Sequence, residues 1–518
     1  MLLFAGCREN AKVPPPSRIS GANPVFEDSE LVLGLVAPVG TNFDRFTNFL
    51  ERCLKKFGYA TNLVRLSELT KNFKVEPSKA TGTDAFVRSN DLMHAGNYLR
   101  FSSERGEFLS LAAAQAIRAT RTNGDVRLKT AHVLRSLKHP DEVRALRRIY
   151  GTGFYLIGIT VNEAERRSFL HDDKGCTKEE VDRLLQRDEH EEDPRFIGED
   201  GQNYGQRTRD TYQLADAFVP LDAEVQLERF LSLIFGDPFQ TPSPDEYAMF
   251  LAFGASLRSG DLSRQVGAAI ISSDGDMVGV GANDVPRRGG GLYWPGVGDH
   301  RDYVRGEDSN EARRDVIVTD VLKRLRPEAV EEDGWIASGK RALVGSLIMD
   351  ITEYGRAVHA EMEAMLSCAR SGVSTRGGTL YSTTFPCHNC AKHIIGAGLR
   401  RVVYVEPYPK SQAKTLFDDS IVLGSEKPSE AKPRVEFVPF VGVGPRRFFD
   451  LFSIGLSSGT TTKRKKNGKP IGWTALTGIV RIALLPNSYL DREHLAEQEL
   501  LALTETPAEE PNHEENRS

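Results

Sequence analysis

The first sustained hydrophobic pattern in the chain begins at Leu31. Leu31-Val32-Leu33-Gly34-Leu35-Val36 is an unbroken apolar run, the pattern of a strand covered on both faces. Ala37-Pro38-Val39-Gly40-Thr41-Asn42 has the composition of a turn. Phe43, Phe46, Leu50, Leu54 and Phe57 then recur at helical spacing, Gly58 stops that helix, and Leu63-Val64-Arg65-Leu66 predicts the next strand. Leu109 to Ile117 and Glu142 to Arg148 continue as helices, and Phe154-Tyr155-Leu156-Ile157-Gly158-Ile159 as another buried strand. The charged stretch from Asp188 to Asp193 and the Gly198 to Gly205 segment show no clear period. From Gly236-Asp237-Pro238 to Pro244 turn residues concentrate and predict a boundary.

Beyond that boundary the pattern changes. Tyr247 to Leu257 predicts a helix, Val266 to Ile271 and Met277 to Gly281 predict strands, and Asn283-Asp284-Val285-Pro286 predicts a turn. A polar insertion with Gly289-Gly290-Gly291 and Trp294 carries its own helix from Arg314 to Leu325. Then come a helix from His359, a strand Thr379 to Ser382, a helix from Cys387 and a strand Val402 to Val405. Alternating strands and helices in both halves predict the α/β class, without internal repeats. The expected organisation is a flexible extension over 1–27, an α/β domain over 28–235, and an α/β/α layered domain over 243–450 with an insertion at about 287–350. A C-terminal extension over 451–518 completes it. In the first half, a buried strand leading through a glycine turn into a helix has the form of a P-loop, which makes Gly34, Gly40, Thr41 and Asn42 candidates for contact with a nucleotide phosphate. The loop is degenerate: Leu35 stands at the first glycine, Thr41 at the lysine and Asn42 at the magnesium-holding hydroxyl residue. A P-loop kinase-like parallel-sheet domain is therefore expected, suited to binding or sensing a nucleotide more than to phosphoryl transfer, which needs the lost lysine.

Composition narrows the setting. The chain has 518 residues, 40% hydrophobic and 27% charged, as expected for a globular protein of several domains. No apolar run approaches the ~20 residues that span a bilayer, so no membrane association is expected. Leu3-Phe4-Ala5-Gly6-Cys7 resembles the end of a lipoprotein signal but lacks the charged start and the apolar stretch of about 7–15 residues. Six scattered cysteines, Cys7, Cys53, Cys176, Cys368, Cys387 and Cys390, point to a reducing cytoplasm rather than a disulfide framework. A net charge of −5 argues against affinity built on phosphate-backbone neutralisation. The local exceptions are the basic cluster Lys463-Arg464-Lys465-Lys466 with Lys469, read as a solvated loop able to touch a phosphate or an RNA, and the acidic stretch from Glu497, read as a disordered tail.

The chemistry gathers in two short segments. His359-Ala360-Glu361 supplies His-x-Glu, and Pro386-Cys387-His388-Asn389-Cys390 supplies Pro-Cys-x-x-Cys. Alone, a Cys-x-x-Cys pair is open to zinc, redox and packing roles, and a His-x-Glu means little. In this order, each opening a helix with a strand between, they form the signature of zinc-dependent deaminases. Two thiolates and an imidazole make a tetrahedral Zn2+ site with one position open, and Glu361 is placed to move protons as general acid and base. A purely structural zinc is disfavoured because only three good ligands are present. His388 is expected to face away, Glu363 and His393 to be supporting or surface residues, and Cys368 to belong to the core.

Over about 243–425 the chain resembles the cytidine and deoxycytidylate deaminase superfamily. The resemblance rests on the two motifs with Ala391-Lys392-His393-Ile394, on Val266-Gly267-Ala268-Ala269-Ile270-Ile271, and on Gly279-Val280-Gly281-Ala282-Asn283-Asp284-Val285-Pro286. It implies that Asn283 contacts the nucleotide sugar and that Ser382 to Pro386, with Thr383 and Pro386, line the pyrimidine pocket. The two-domain arrangement, with Ser136-Leu137-Lys138-His139-Pro140-Asp141-Glu142-Val143, is similar to bacterial anti-phage dCTP/dCMP deaminases. That resemblance implies conversion of deoxycytidine nucleotides to deoxyuridine nucleotides on phage infection, draining dCTP. It also implies a nucleotide ligand for the N-terminal domain, restraint by a small RNA or another regulator, and a homo-oligomer. Arg264, Arg287, Arg288, Lys340 and Arg356 are available to meet phosphates. The competing readings are a nucleic-acid cytidine deaminase and a catalytically inactive nucleotide sensor.

Overall fold

Leu31, Leu33 and Leu35 of strand β1 (Leu31–Val36) pack into one apolar cluster with Phe46, Leu50 and Leu54 of helix α1 (Phe43–Lys56), while Val32 and Val36 belong to a second cluster. A strand apolar on both sides has no solvent face and belongs in the middle of a parallel sheet covered by helices. The computed structural model describes residues 28–189, 191, 193–199, 201–327, 334–344, 346–406, 411–424, 433–455, 461–484 and 486–505. The expected 1–27 extension, Cys7 among it, and the end of the acidic tail lie outside these.

The first sheet adds β2 (Ala60–Arg65), β3 (Thr130–Arg135), β4 (Phe154–Thr160) and β5 (Ala217–Pro220), all parallel, in the order β5-β4-β1-β3-β2. Helices α2 (Asp84–Ser102), α3 (Phe108–Arg118), α4 (Pro140–Tyr150), α5 (Lys178–Glu189) and α6 (Glu224–Ile234) complete this half. The chain leaves β1 toward β2 on one side and later crosses from β3 to β4 on the other. A crevice therefore opens at the carboxyl ends of β1 and β3, the place where open α/β sheets bind ligands.

Helix α7 (Pro244–Ser256) joins the halves. Its N-terminus has a capping box of Ser243 and Glu246. The buried Glu246 carboxylate also accepts two hydrogen bonds from Arg229 of α6, each 2.8 Å, and one from the Val443 amide at 2.7 Å. The second sheet comprises β6 (Gly267–Ile271), β7 (Met277–Ala282), β8 (Thr379–Thr384), β9 (Arg401–Glu406), β10 (Ile421–Leu423) and β11 (Val435–Pro439), in the order β10-β11-β9-β8-β6-β7. On one face Ala269, Tyr381 and Val403 continue the second core cluster through Ala248 and Met249 of α7. On the other, Ala268, Ile270, Leu380 and Val402 meet two helices, α8 (Ala360–Ser371) and α9 (His388–Gly396). Within the expected insertion, Ser309–Leu325 and Trp335–Ala342 are helical.

The C-terminal part departs from expectation. Strand β12 (Gly442–Val443) pairs antiparallel with β5, so the chain returns to the first sheet before residue 450. The supposed acidic tail begins inside a helix, α10 (Pro486–Glu505), whose Tyr489, Ala496 and Leu500 join the core cluster beside α3 and α4. Three of its acidic residues are paired: Glu497 with Arg118 at 3.3 Å, the half-exposed Glu499 with Arg105 at 3.2 Å, and Glu493 with the buried Arg121. Arg121 also holds Glu30 at 2.9 Å. Burial raises the Glu30 carboxyl, but hydrogen bonds from His132 and Arg121 outweigh it and hold the group at about 2. The basic cluster forms an exposed two-stranded hairpin, Lys465–Lys466 against Lys469–Pro470. Among the described residues no helix is long and apolar enough to cross a membrane.

Arg121 is the single cation shared by Glu30 and Glu493, and its loss leaves two buried carboxylates without a counter-charge. Arg121→Ala is expected to lower the unfolding free energy by about 3–5 kcal/mol in urea at neutral pH. A change below about 1 kcal/mol would show that the pairing does not anchor α10.

Candidate active site

Helices α8 and α9 both start at the same end of the second sheet, where β8 ends. His359 is the N-cap of α8 and Cys387 the N-cap of α9, and neither side chain caps its own helix. Both turn toward each other. The His359 Nδ1 lies 3.3 Å from the Cys387 Sγ and 3.3 Å from the Cys390 Sγ. Tetrahedral zinc, with bonds of about 2.0 Å to nitrogen and 2.3 Å to sulfur, would set such atoms about 3.5 Å apart. The three ligand atoms lie within 4.8 Å of one another and are the group of this kind among the described residues. The donor set and spacing fit zinc.

The local field favours the Cys387 thiolate, while His359 and Cys390 hold protons that metal binding must release. Hydrogen bonds from Cys390 and then His359 hold the Cys387 thiol down at about 4, and the Cys387 hydrogen bond raises the His359 imidazole to about 9. The positive helix ends add to the stabilisation of thiolate. Glu361, one residue into α8 from its N-cap's neighbour, is 4% exposed, and burial pushes its carboxyl up while the His359 charge opposes. The Cys390 Sγ lies 3.4 Å from one Glu361 oxygen and the Ser382 Oγ 3.5 Å from the other. Three protein ligands with a buried carboxylate beside them make a site for metal-assisted proton transfer.

The remaining expected residues divide. Glu363 is turned to Arg370 at 2.5 Å, and His393 bonds the Asn389 carbonyl at 2.7 Å, so neither joins the ligands. Cys368 is buried in the core. Asn283 is buried at the sheet end: its Oδ1 accepts from the Val266 amide at 2.6 Å, and its Nδ2 donates to the Arg264 carbonyl at 2.8 Å. An antiparallel bridge between Asp284 and Val358 sets this residue next to His359. The Thr383 Oγ1 accepts from the Gly267 amide at 3.1 Å, and the Pro386 carbonyl accepts from Ser411 at 2.8 Å. Pro386 is next to Cys387 in the chain, Thr383 lies on β8, and Asn283, beside the residue that bridges to Val358, is occupied in framing the 264–266 segment. Sequence reasoning missed Glu406, which accepts from Thr384 at 3.2 Å and pairs with Arg264. It follows a strand with no motif around it.

Of the four N-terminal candidates, Gly40, Thr41 and Asn42 stand together in the turn after β1, and Gly34 does not. Gly34 lies in the middle of β1, where a Cβ would stand 2.6 Å from Leu137 and 2.7 Å from Phe154, so it belongs to sheet packing and not to the turn. Gly40 has φ +85° and lies against the Arg166 backbone. The Thr41 hydroxyl donates to the Pro38 carbonyl at 2.7 Å, and Asn42 caps α1 through Arg45 at 3.0 Å. The Val39 amide donates at 2.7 Å to Asp188, a buried carboxylate that Lys138 pairs at 2.6 Å. The chain's own carboxylate thereby takes a donor that a phosphate would use. A cavity of about 560 Å³ adjoins this turn at the sheet crevice, lined among others by Thr41, Arg65, Arg135 and Lys174.

Comparison with known proteins covers the second half of the chain. The model of the cytidine and deoxycytidylate deaminase zinc-binding region matches residues 242–406. The deoxycytidylate deaminase of Enterobacteria phage T2 is 30% identical over 165 residues, which cover 31% of this chain and 79% of that protein. The chain belongs to the cytidine and deoxycytidylate deaminase family. ComE operon protein 2 of Bacillus subtilis (strain 168) is 38% identical over 101 residues, 19% of this chain and 53% of that protein, so the deaminase region spans about half of that relative. The solved dCMP deaminase of cyanophage S-TIM5 in apo form aligns with 18% identity and a TM-score of 0.22 over 39% of this chain and 100% of that one.

For this deaminase site the ligand set predicts separable effects on metal content. Cys387→Ala should reduce zinc from about one per chain to near zero by mass spectrometry of the metal, whereas Glu361→Gln should keep it. Full zinc in Cys387→Ala would remove that thiol from the ligand set.

Proposed function

We propose that the chain catalyses zinc-dependent hydrolytic deamination of deoxycytidine nucleotides, dCTP or dCMP, to the corresponding deoxyuridine nucleotides and ammonia. The observation that carries this is the buried Glu361 carboxylate set beside the His359, Cys387 and Cys390 cluster in a chain of this family. Zinc, when bound, makes water a nucleophile near neutral pH. Glu361 takes one proton from water as it adds to C4 of the cytosine and passes it to ring N3, then takes the second from the hydroxyl formed at C4 and delivers it to the amino group that leaves as ammonia. Ser382 holds the carboxylate from the side, and the β8 to α9 segment walls the ring. The net change is a C–N bond replaced by a C–O bond, with no redox partner.

Glu361→Gln keeps the shape of the side chain but not its proton chemistry. It should slow ammonia release from dCMP and dCTP by about 10²–10⁴-fold while zinc content stays unchanged. Unaltered turnover would remove Glu361 from the mechanism, and product from a cytosine-containing DNA oligomer alone would make the chain a nucleic-acid deaminase.

The two-domain resemblance supports a wider reading in which the activity drains dCTP during phage infection, in the cytoplasm and as a homo-oligomer, under a regulator that acts through the N-terminal half. In infected cells, the wild type should lower dCTP and raise deoxyuridine nucleotides, and the Glu361→Gln protein should leave both pools as in cells without it.

A further inference from the structure

Deamination chemistry is confined to the base, so the phosphate of a nucleotide must be met elsewhere along the rim. Five cations offered themselves in the sequence, and the structure separates them. Lys340 is paired with Asp315 at 2.6 Å within the insertion. Arg287 bonds the Gly290 carbonyl at 3.1 Å, and Gly290 lies against Arg370, near the far end of α8. At 1.5 Å per residue that is roughly 16 Å from His359. Arg288 belongs to the same turn, closed by the Pro286 to Leu292 bridge. Arg356 is held by Asp302 at 2.6 Å and by the His300 carbonyl at 3.0 Å.

Arg264 is different in position and in partner. Its amide is capped by Asp261 at 3.2 Å and its carbonyl by Asn283 at 2.8 Å, which fixes its backbone at the end of the sheet where the zinc ligands converge. Its side chain is 41% exposed and reaches Glu406 at the end of β9. Glu406 stands opposite Thr384 in register, and its carbonyl accepts from the Phe385 amide at 2.7 Å, two residues before Cys387. The guanidinium therefore spans the strand ends that lead into the site.

We propose that Arg264 receives the 5′-phosphate of the nucleotide, exchanging its resting counter-ion Glu406 for it; the proposal rests on the deaminase reading. An ion pair exposed to this degree contributes at most about 1 kcal/mol, whereas the planar guanidinium grips a phosphate through two charge-assisted hydrogen bonds. Glu406 is not stranded by the exchange. It keeps the Thr384 hydroxyl at 3.2 Å and the Gln213 amide, which donates to its two oxygens at 3.3 and 3.0 Å when its nitrogen faces them. Gln213 belongs to the first half of the chain, so the counter-ion that Arg264 leaves is shared between the halves.

The test is calorimetric binding of dCMP and of deoxycytidine to the zinc-loaded full chain in the Glu361→Gln background, which suppresses turnover. Arg264→Gln should weaken dCMP by about 10- to 100-fold and change deoxycytidine by less than about twofold. Glu406→Gln, which removes that carboxylate's charge, should tighten dCMP at low salt. Arg356→Gln serves as the comparison. Equal loss for nucleoside and nucleotide in Arg264→Gln, no loss for either, or a phosphate-dependent loss only in Arg356→Gln would each overturn the proposal alone. Binding of neither dCMP nor dCTP by the parent protein would overturn it together with the deaminase reading.

Discussion

The site depends on how closely α8 lies against β7. A Cβ at Gly281 would fall 2.2 Å from the Ala360 carbonyl, and one at Gly279 would fall 2.7 Å from the Ala364 carbonyl. The helix therefore touches the strand backbone to backbone, a distance that only glycine permits. This contact sets the height of the α8 N-terminus above the sheet, and with it the positions of His359 and Glu361. The Asp284 to Val358 bridge then fixes the approach from the other side. Cys387 and Cys390 come from a second helix that starts at the end of β8, so one end of the sheet carries the whole ligand set.

The two halves are built into one another. The chain runs out of the second sheet at Pro439, returns to the first as β12, and ends with a helix on the first core. Glu246 caps α7, takes two hydrogen bonds from Arg229 and closes on Val443. Asp245 next to it holds Arg401 at 3.0 and 2.9 Å and Tyr381 at 2.6 Å, both in strands of the second sheet. Adjacent carboxylates on one helix turn thus face opposite halves. The end of the second sheet that carries the His359, Cys387 and Cys390 cluster and the first sheet are consequently held in a defined relation.

What was legible in the sequence followed from local pattern. β1, α1, α4, β4, α7 and the two ligand-bearing helices were readable because their periodicity or capping residues act over a few positions. The zinc ligands were readable because their order and spacing are set by helix starts. What stayed hidden depends on partners far along the chain. The acidic stretch from Glu497 has the composition of a tail, yet its start lies in a packed helix where Arg118 and Arg105 pair with Glu497 and Glu499. The turn at Gly40 has the outline of a phosphate cradle, yet Asp188, 149 residues away, takes the Val39 amide. Glu406 carried no motif, and its place beside Arg264 arises only when β9 and the 259–266 segment meet.

X-ray absorption at the zinc edge of the purified chain tests the central claim most directly. The account predicts two sulfur ligands at about 2.3 Å, one nitrogen at about 2.0 Å and one further light atom that is not supplied by the protein. A shell of four protein ligands would make the metal structural and contradict an open catalytic site, and absence of zinc from protein prepared with the metal supplied would contradict the ligand set itself.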